Sequence, residues 1–118
     1  MPEIERRSHI RKHIRMPCSV VFSSGATIFG YTSNVCLEGI AVESSMNLRN
    51  LENSISVGES GLLLITYSNN RQEEKIRLRC QVKHLSGNGF GLTIRFYELT
   101  PGDQEILGTM IASGSANI

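Results

Sequence analysis

The sequence predicts an all-β domain, six short antiparallel strands closed into a barrel, with one helix at its C-terminal end. Three observations carry this. Residues Lys75 to Lys83 alternate strictly, with Ile76, Leu78, Cys80 and Val82 on one side and Lys75, Arg77, Arg79, Gln81 and Lys83 on the other, the period-two pattern of a half-buried strand. Other short apolar runs are parted by Gly-, Ser- and Asn-rich turn chemistry. A helical apolar stripe appears after residue 100.

The 118 residues suit one domain, a size at which roughly two-thirds of the unfolded surface becomes buried. With 40% apolar and 19% charged residues, the composition is that of a folded globular chain and excludes a disordered one. No apolar run reaches the roughly 18 to 20 residues of a membrane span, and no secretory apolar stretch follows the basic start. The expectation is a cytoplasmic protein without membrane insertion. Cys18, Cys36 and Cys80 are odd in number and widely spaced, so they are read as reduced thiols.

Residues 1–17 have no sustained apolar period and end at Met16-Pro17, a pair that disfavours helix continuation. They are read as a flexible arm. Strands are expected at Ser19–Phe22 and Thr27–Thr32, parted by the turn residues Ser23-Ser24-Gly25. Ile40–Val42 follows the Asn34–Gly39 turn, and a Ser- and Asn-rich stretch to Ser60 reads as loop. Gly61–Tyr67 (GLLLITY) is a continuous apolar run of strand length, suited to a strand buried on both faces or crossing a barrel. After the Lys75–Lys83 strand, Gly87-Asn88-Gly89 offers positive-φ residues for a reversal, and Leu92, Ile94 and Phe96 alternate on the returning strand. Thr100, Pro101 and Asp103 mark a helix start, and Ile106, Leu107, Met110 and Ile111 form its apolar stripe. The barrel with its helix is assigned to residues 18–113, and 114–118 form a tail.

Charge is unevenly spread. Residues 1–15 carry five cations (Arg6, Arg7, Arg11, Lys12, Arg15) against Glu3 and Glu5, so they hold +3 of a chain whose net charge is +1. A cationic arm on a nearly neutral body points to a small anionic partner more than to a broad nucleic-acid surface. Arg7 and Arg11 form an R-x-x-x-R spacing, preceded by Arg6. An arginine fork donates two parallel hydrogen bonds to a phosphate and stacks on a purine face. By itself the spacing also suits a solvated basic tail. Asn34-Val35-Cys36-Leu37-Glu38-Gly39 lies between two expected strands, where an Asn amide either caps a plain turn or meets a purine edge.

Together these two segments resemble the PilZ family, whose pattern is R-x-x-x-R on an N-terminal arm and (D/N)-x-S-x-x-G some twenty residues later. Arg7 and Arg11 take the arginine positions, Asn34 the Asp/Asn position, Cys36 the serine position and Gly39 the glycine position. Pro17, Val57-Gly58-Glu59 and Gly89-Phe90-Gly91-Leu92 also look like the family, so the resemblance spans nearly the whole chain. Arg11 and Arg15 repeat the spacing. Arg7 and Arg11 are preferred, because Arg15 leaves little arm before Cys18 to fold over a ligand. The resemblance implies a β-barrel receptor for cyclic di-GMP that is not an enzyme and uses no cofactor. Arg6, Arg7 and Arg11 would hold phosphates and guanine faces, Asn34, Cys36 and Gly39 would meet a guanine and its phosphate, and closure of the arm would change the surface offered to a protein partner. The alternative within the family is an interaction module of the same fold, related to type IV pili or motility, that does not bind the nucleotide. Cys36 is the departure from the pattern: a thiol donates poorly, and one lost neutral hydrogen bond costs about 0.5 to 1.5 kcal/mol, so weakened binding is expected.

Other chemistries find less support. His9 and His13 stand four apart without accompanying acidic ligands, and a zinc site would need thiols from separated strands. His84 shares parity with Val82 and reads as a core or rim residue. The only aspartate is Asp103, and no carboxylate pair suits acid–base catalysis. The basic face of residues 75–83 lacks the interleaved aromatics of an RNA-stacking platform. No nucleic-acid polymer is expected as partner.

Overall fold

The computed structural model describes residues 13–50, 55–69 and 72–114. Six strands, β1 (Pro17–Phe22), β2 (Thr27–Val35), β3 (Gly39–Ser44), β4 (Ser60–Asn69), β5 (Gln72–Leu85) and β6 (Gly91–Phe96), precede one helix, α1 (Pro101–Gly114). The strands close into an antiparallel barrel in the order β1-β2-β3-β6-β5-β4, with β4 pairing back onto β1. The expected fold class is therefore the observed one. Among the described residues, no helix is long and apolar enough to cross a membrane.

Local chemistry sets the turns. Gly25 takes φ 96° between β1 and β2, donating to the Phe22 carbonyl at 2.8 Å, while the Phe22 amide donates to Ala26. Between β5 and β6, of the three residues Gly87-Asn88-Gly89 it is Gly89 that adopts positive φ. A side chain there would strike the amide oxygen of Asn47 at 2.2 Å. Within the stretch expected to be loop, Leu48–Asn50 forms one 3₁₀ turn and buries Leu48.

Alternation along the strands fills one core, in which Val20, Ile28, Leu63, Ile65, Cys80 and Ile94 are fully buried. The core takes Leu107, Met110 and Ile111 from α1, with Ile106 packed against it. Burying a side chain such as Leu107 contributes about 2 kcal/mol. The helix start is capped reciprocally: the Asp103 amide donates to Thr100 Oγ1 at 3.0 Å, and the Thr100 amide to Asp103 Oδ2 at 3.2 Å.

Of the two settings expected for the GLLLITY run, the barrel is the observed one: Leu63 and Ile65 point into it while Leu62 and Leu64 lie outside, because a closed single-layer barrel has one interior. Two expectations are corrected. His84 is exposed, because the β5–β6 register shifts between Val82 and His84 and this bulge cancels the parity with Val82. The chain also joins the barrel ahead of residue 18. Pro17 opens β1, and Ile14 and Met16 belong to the core.

Candidate functional site

The Asn34–Gly39 segment forms one wall of a pocket of about 480 Å³, completed by Ile40 and Ala41 of β3, Lys83 of β5 and Thr93–Phe96 of β6. Its position follows from strand pairing. The β2–β3 register shifts between Thr32 and Asn34, so Thr32 points inward and is fully buried while Asn34, two residues on, is exposed. The turn then closes tightly, the Cys36 amide donating to the Gly39 carbonyl at 3.0 Å. The Phe96 amide donates to the Glu38 carbonyl at 2.9 Å and ties the turn to β6.

Gly39 is required by packing as well as position. A Cβ there would lie 2.2 Å from the Ile94 carbonyl oxygen, so only glycine lets β3 run this close to β6. Cys36 is buried yet lines the pocket. The other two thiols lie deeper in the barrel, where burial pushes Cys18 up to about 11 and Cys80 up to about 12. They stay protonated at neutral pH and are poor nucleophiles.

Two cations missing from the sequence-based site, Lys83 and Arg95, line the same pocket. Their outward parity was readable, but their nearness to the turn was not. Arg95 sits opposite Gly39 in the β3–β6 ladder, 56 positions away in the chain.

Arg6, Arg7 and Arg11 lie outside the described residues, so the structure brings together three of the six expected site residues, Asn34, Cys36 and Gly39. The end of the arm is described. His13 Nδ1 lies 3.2 Å from Asn34 Oδ1. Arg15 places its guanidinium carbon 4.1 Å from the Tyr31 ring centroid and Nη1 3.3 Å from Glu43 Oε1. Both groups of that ion pair are exposed, so it is worth at most about 1 kcal/mol. Among the described residues no cluster of three or more His, Cys, Asp or Glu side chains could hold a metal ion.

Comparison with known proteins agrees with this barrel fold. A search of curated proteins returns no match. Among solved structures, the PilZ domain of YcgR from Escherichia coli with c-di-GMP superimposes with TM-score 0.77 at 14% identity, covering 95% of this chain and 93% of that one. The inhibitor of motility MotI/DgrA of Bacillus subtilis gives 0.75 at 21% identity over 95% of this chain, which spans about half (52%) of that protein's length. The PilZ domain of CeSA from a cellulose-synthesizing bacterium gives 0.63 at 16% identity, covering 88% of this chain and 96% of that one. These likenesses establish a shared barrel. The family model for the PilZ domain matches residues 5–113, and the chain belongs to that family.

Proposed function

We propose that the protein is a cytoplasmic receptor for cyclic di-GMP that acts by binding, without chemistry of its own. The observation that carries this reading is the convergence of Asn34, Cys36 and Gly39 on one pocket with Lys83 and Arg95, at the place where the incoming chain, through His13, reaches Asn34. Arg11 precedes His13 by two residues, at most about 7 Å of extended chain. Arg7 and Arg11, with Arg6 as accessory, then grip the phosphates and guanine faces, and Asn34 presents its amide to a guanine edge. The ligand's two phosphate charges meet the +3 of residues 1–15. Ordering of the arm over the ligand changes the surface offered to a protein partner.

Calorimetric titration of the purified protein with cyclic di-GMP, beside GMP as control, tests the reading. Arg7→Ala and Arg11→Ala each weaken binding roughly tenfold or more, the value of an arginine–phosphate bond. Cys36→Ser tightens it by up to about tenfold, restoring one neutral hydrogen bond. Absence of heat at ligand concentrations on the order of hundreds of micromolar rejects receptor function and leaves a PilZ-fold interaction module.

A further inference from the structure

The wall of the barrel opposite the pocket carries a second surface, and it stands independently of cyclic di-GMP binding. In the ring β1-β2-β3-β6-β5-β4, β1 lies across from β6. On the outer face of β1 and its neighbours, Phe29 is 61% exposed, Val21 44%, Tyr31 41% and Leu62 36%. These residues are contiguous. Ser19 stands between Phe29 and Leu64, Val21 between Thr27 and Leu62, and Pro17 pairs Tyr31. Scattered surface apolar residues need no explanation, but a patch continuous across three strands marks an interaction site.

The borders of the patch differ in charge. Along β5, Arg79 pairs Leu62, Arg77 pairs Leu64 and Lys75 pairs Thr66. Arg79 is held by Glu98 at 2.5 Å, whereas Arg77 and Lys75 have no ion pair among the described residues. Glu73 lies beyond them, opposite Ser68 near the hairpin tip. On the β3 side Glu43 pairs Tyr31, and its carboxylate is already engaged by Arg15. The patch is therefore apolar with one uncompensated cationic edge.

We propose that this face docks an amphipathic helix of a protein partner, with apolar side chains seated over Val21, Phe29, Leu62 and Leu64 and carboxylates along the side facing Arg77 and Lys75. Closure of the barrel leaves β1, β2 and β4 paired on both sides, so strand addition is unavailable and side-chain packing must supply the contact. Two strand spacings give a width of about 10 Å, matching the diameter of one helix. The chain's own arm is the wrong sign, since its +3 would face Lys75 and Arg77. Among the described residues, a second copy packed patch to patch offers those cations Glu73 and the Glu43 that Arg15 already occupies, while adding its own Lys75 and Arg77 to the same contact.

The test uses a stapled helical peptide of about 14 residues, about 21 Å long and so able to cover β1, with a Leu/Phe stripe flanked by Glu. A second peptide carries Lys in place of Glu. Amide chemical shifts of the whole protein are followed by NMR during titration with each. The Glu peptide should perturb Val21, Phe29, Leu62 and Leu64, leave Asn34 and Arg95 unmoved, and bind at least about fivefold more tightly than the Lys peptide at low salt. Phe29→Asp should weaken it about tenfold or more, and Arg77→Glu should narrow or invert the preference between peptides. Leu62→Ser is the backup should Phe29→Asp fold poorly. Equal binding of the two peptides, shifts mapping elsewhere, no shift at millimolar peptide, or a concentration-dependent dimer through Phe29 would each overturn the proposal.

Discussion

The hydroxyl of Thr32 donates to the Ile14 carbonyl at 2.5 Å and accepts the Met16 amide at 2.9 Å, and Thr32 itself is fully buried. One side chain of β2 thereby satisfies two backbone groups of the incoming chain. The Thr32 amide adds a bond to the Met16 carbonyl at 2.9 Å. This clamp holds the chain immediately after His13, whose ring lies beside Asn34 at the pocket.

Thr32→Val keeps the shape but leaves a buried N–H and a buried C=O without this partner, at about 1 to 3 kcal/mol for each unmet group. Urea unfolding should register a loss of about 2 to 6 kcal/mol, and hydrogen exchange should quicken at the Met16 amide. Thr32→Ser should retain most of the stability. If Thr32→Val were as stable as the parent, the clamp would be incidental.

Gly39→Ala forces a methyl group against the Ile94 carbonyl oxygen. A stability loss of about 2 to 3 kcal/mol is expected from overpacking against backbone that cannot rotate away. In contrast to Cys36→Ser, the substitution should both destabilise the barrel and distort the pocket, a pairing visible as a lowered Tm together with lost ligand heat.

Lys83→Ala and Arg95→Ala leave folding intact, because both side chains are exposed. Each should weaken cyclic di-GMP binding about three- to tenfold, less than a buried arginine–phosphate contact because water screens an open site. Raising the salt concentration should shrink the difference from the parent protein.

Glu59 couples the β1–β2 turn to the loop before β4. Its carboxyl is held below the ordinary 4.5 by the Ser24 hydroxyl first, then by the Ser56 amide, the Ser24 amide and the Ser23 hydroxyl, against a smaller opposing effect of burial. A depressed folded value means that the unfolded chain takes up the proton more readily. The contribution is therefore complete above about 4.5 and lost as pH falls through the lower folded value. Glu59→Gln should be less stable than the parent at neutral pH, with the gap closing below that value in urea unfolding followed across pH. A gap that is constant across the acid range would contradict this linkage.

Local periodicity made most of the barrel legible. The β5 alternation, the β1–β2 turn and the capped helix each depend on residues a few positions apart. His84 was misread because a β-bulge is set by the partner strand and leaves no mark in the period of its own. The outward turn of Asn34 has the same origin, in the register shift between β2 and β3.

The candidate site divides in the same way. Asn34, Cys36 and Gly39, which line one pocket, were legible as a group because they lie in one short segment. Lys83 and Arg95 were missed because the β3–β6 ladder, which places Arg95 opposite Gly39, joins parts of the chain far apart in sequence. The sequence by itself determined the strands and the helix, their inward and outward faces away from the two register shifts, and the family pattern, all of which follow from local backbone geometry and side-chain chemistry. Tertiary structure alone decided which strands neighbour one another, and with that the cations at the pocket, the Thr32 clamp and the apolar wall, because ladder pairing is a long-range choice made by the whole core at once.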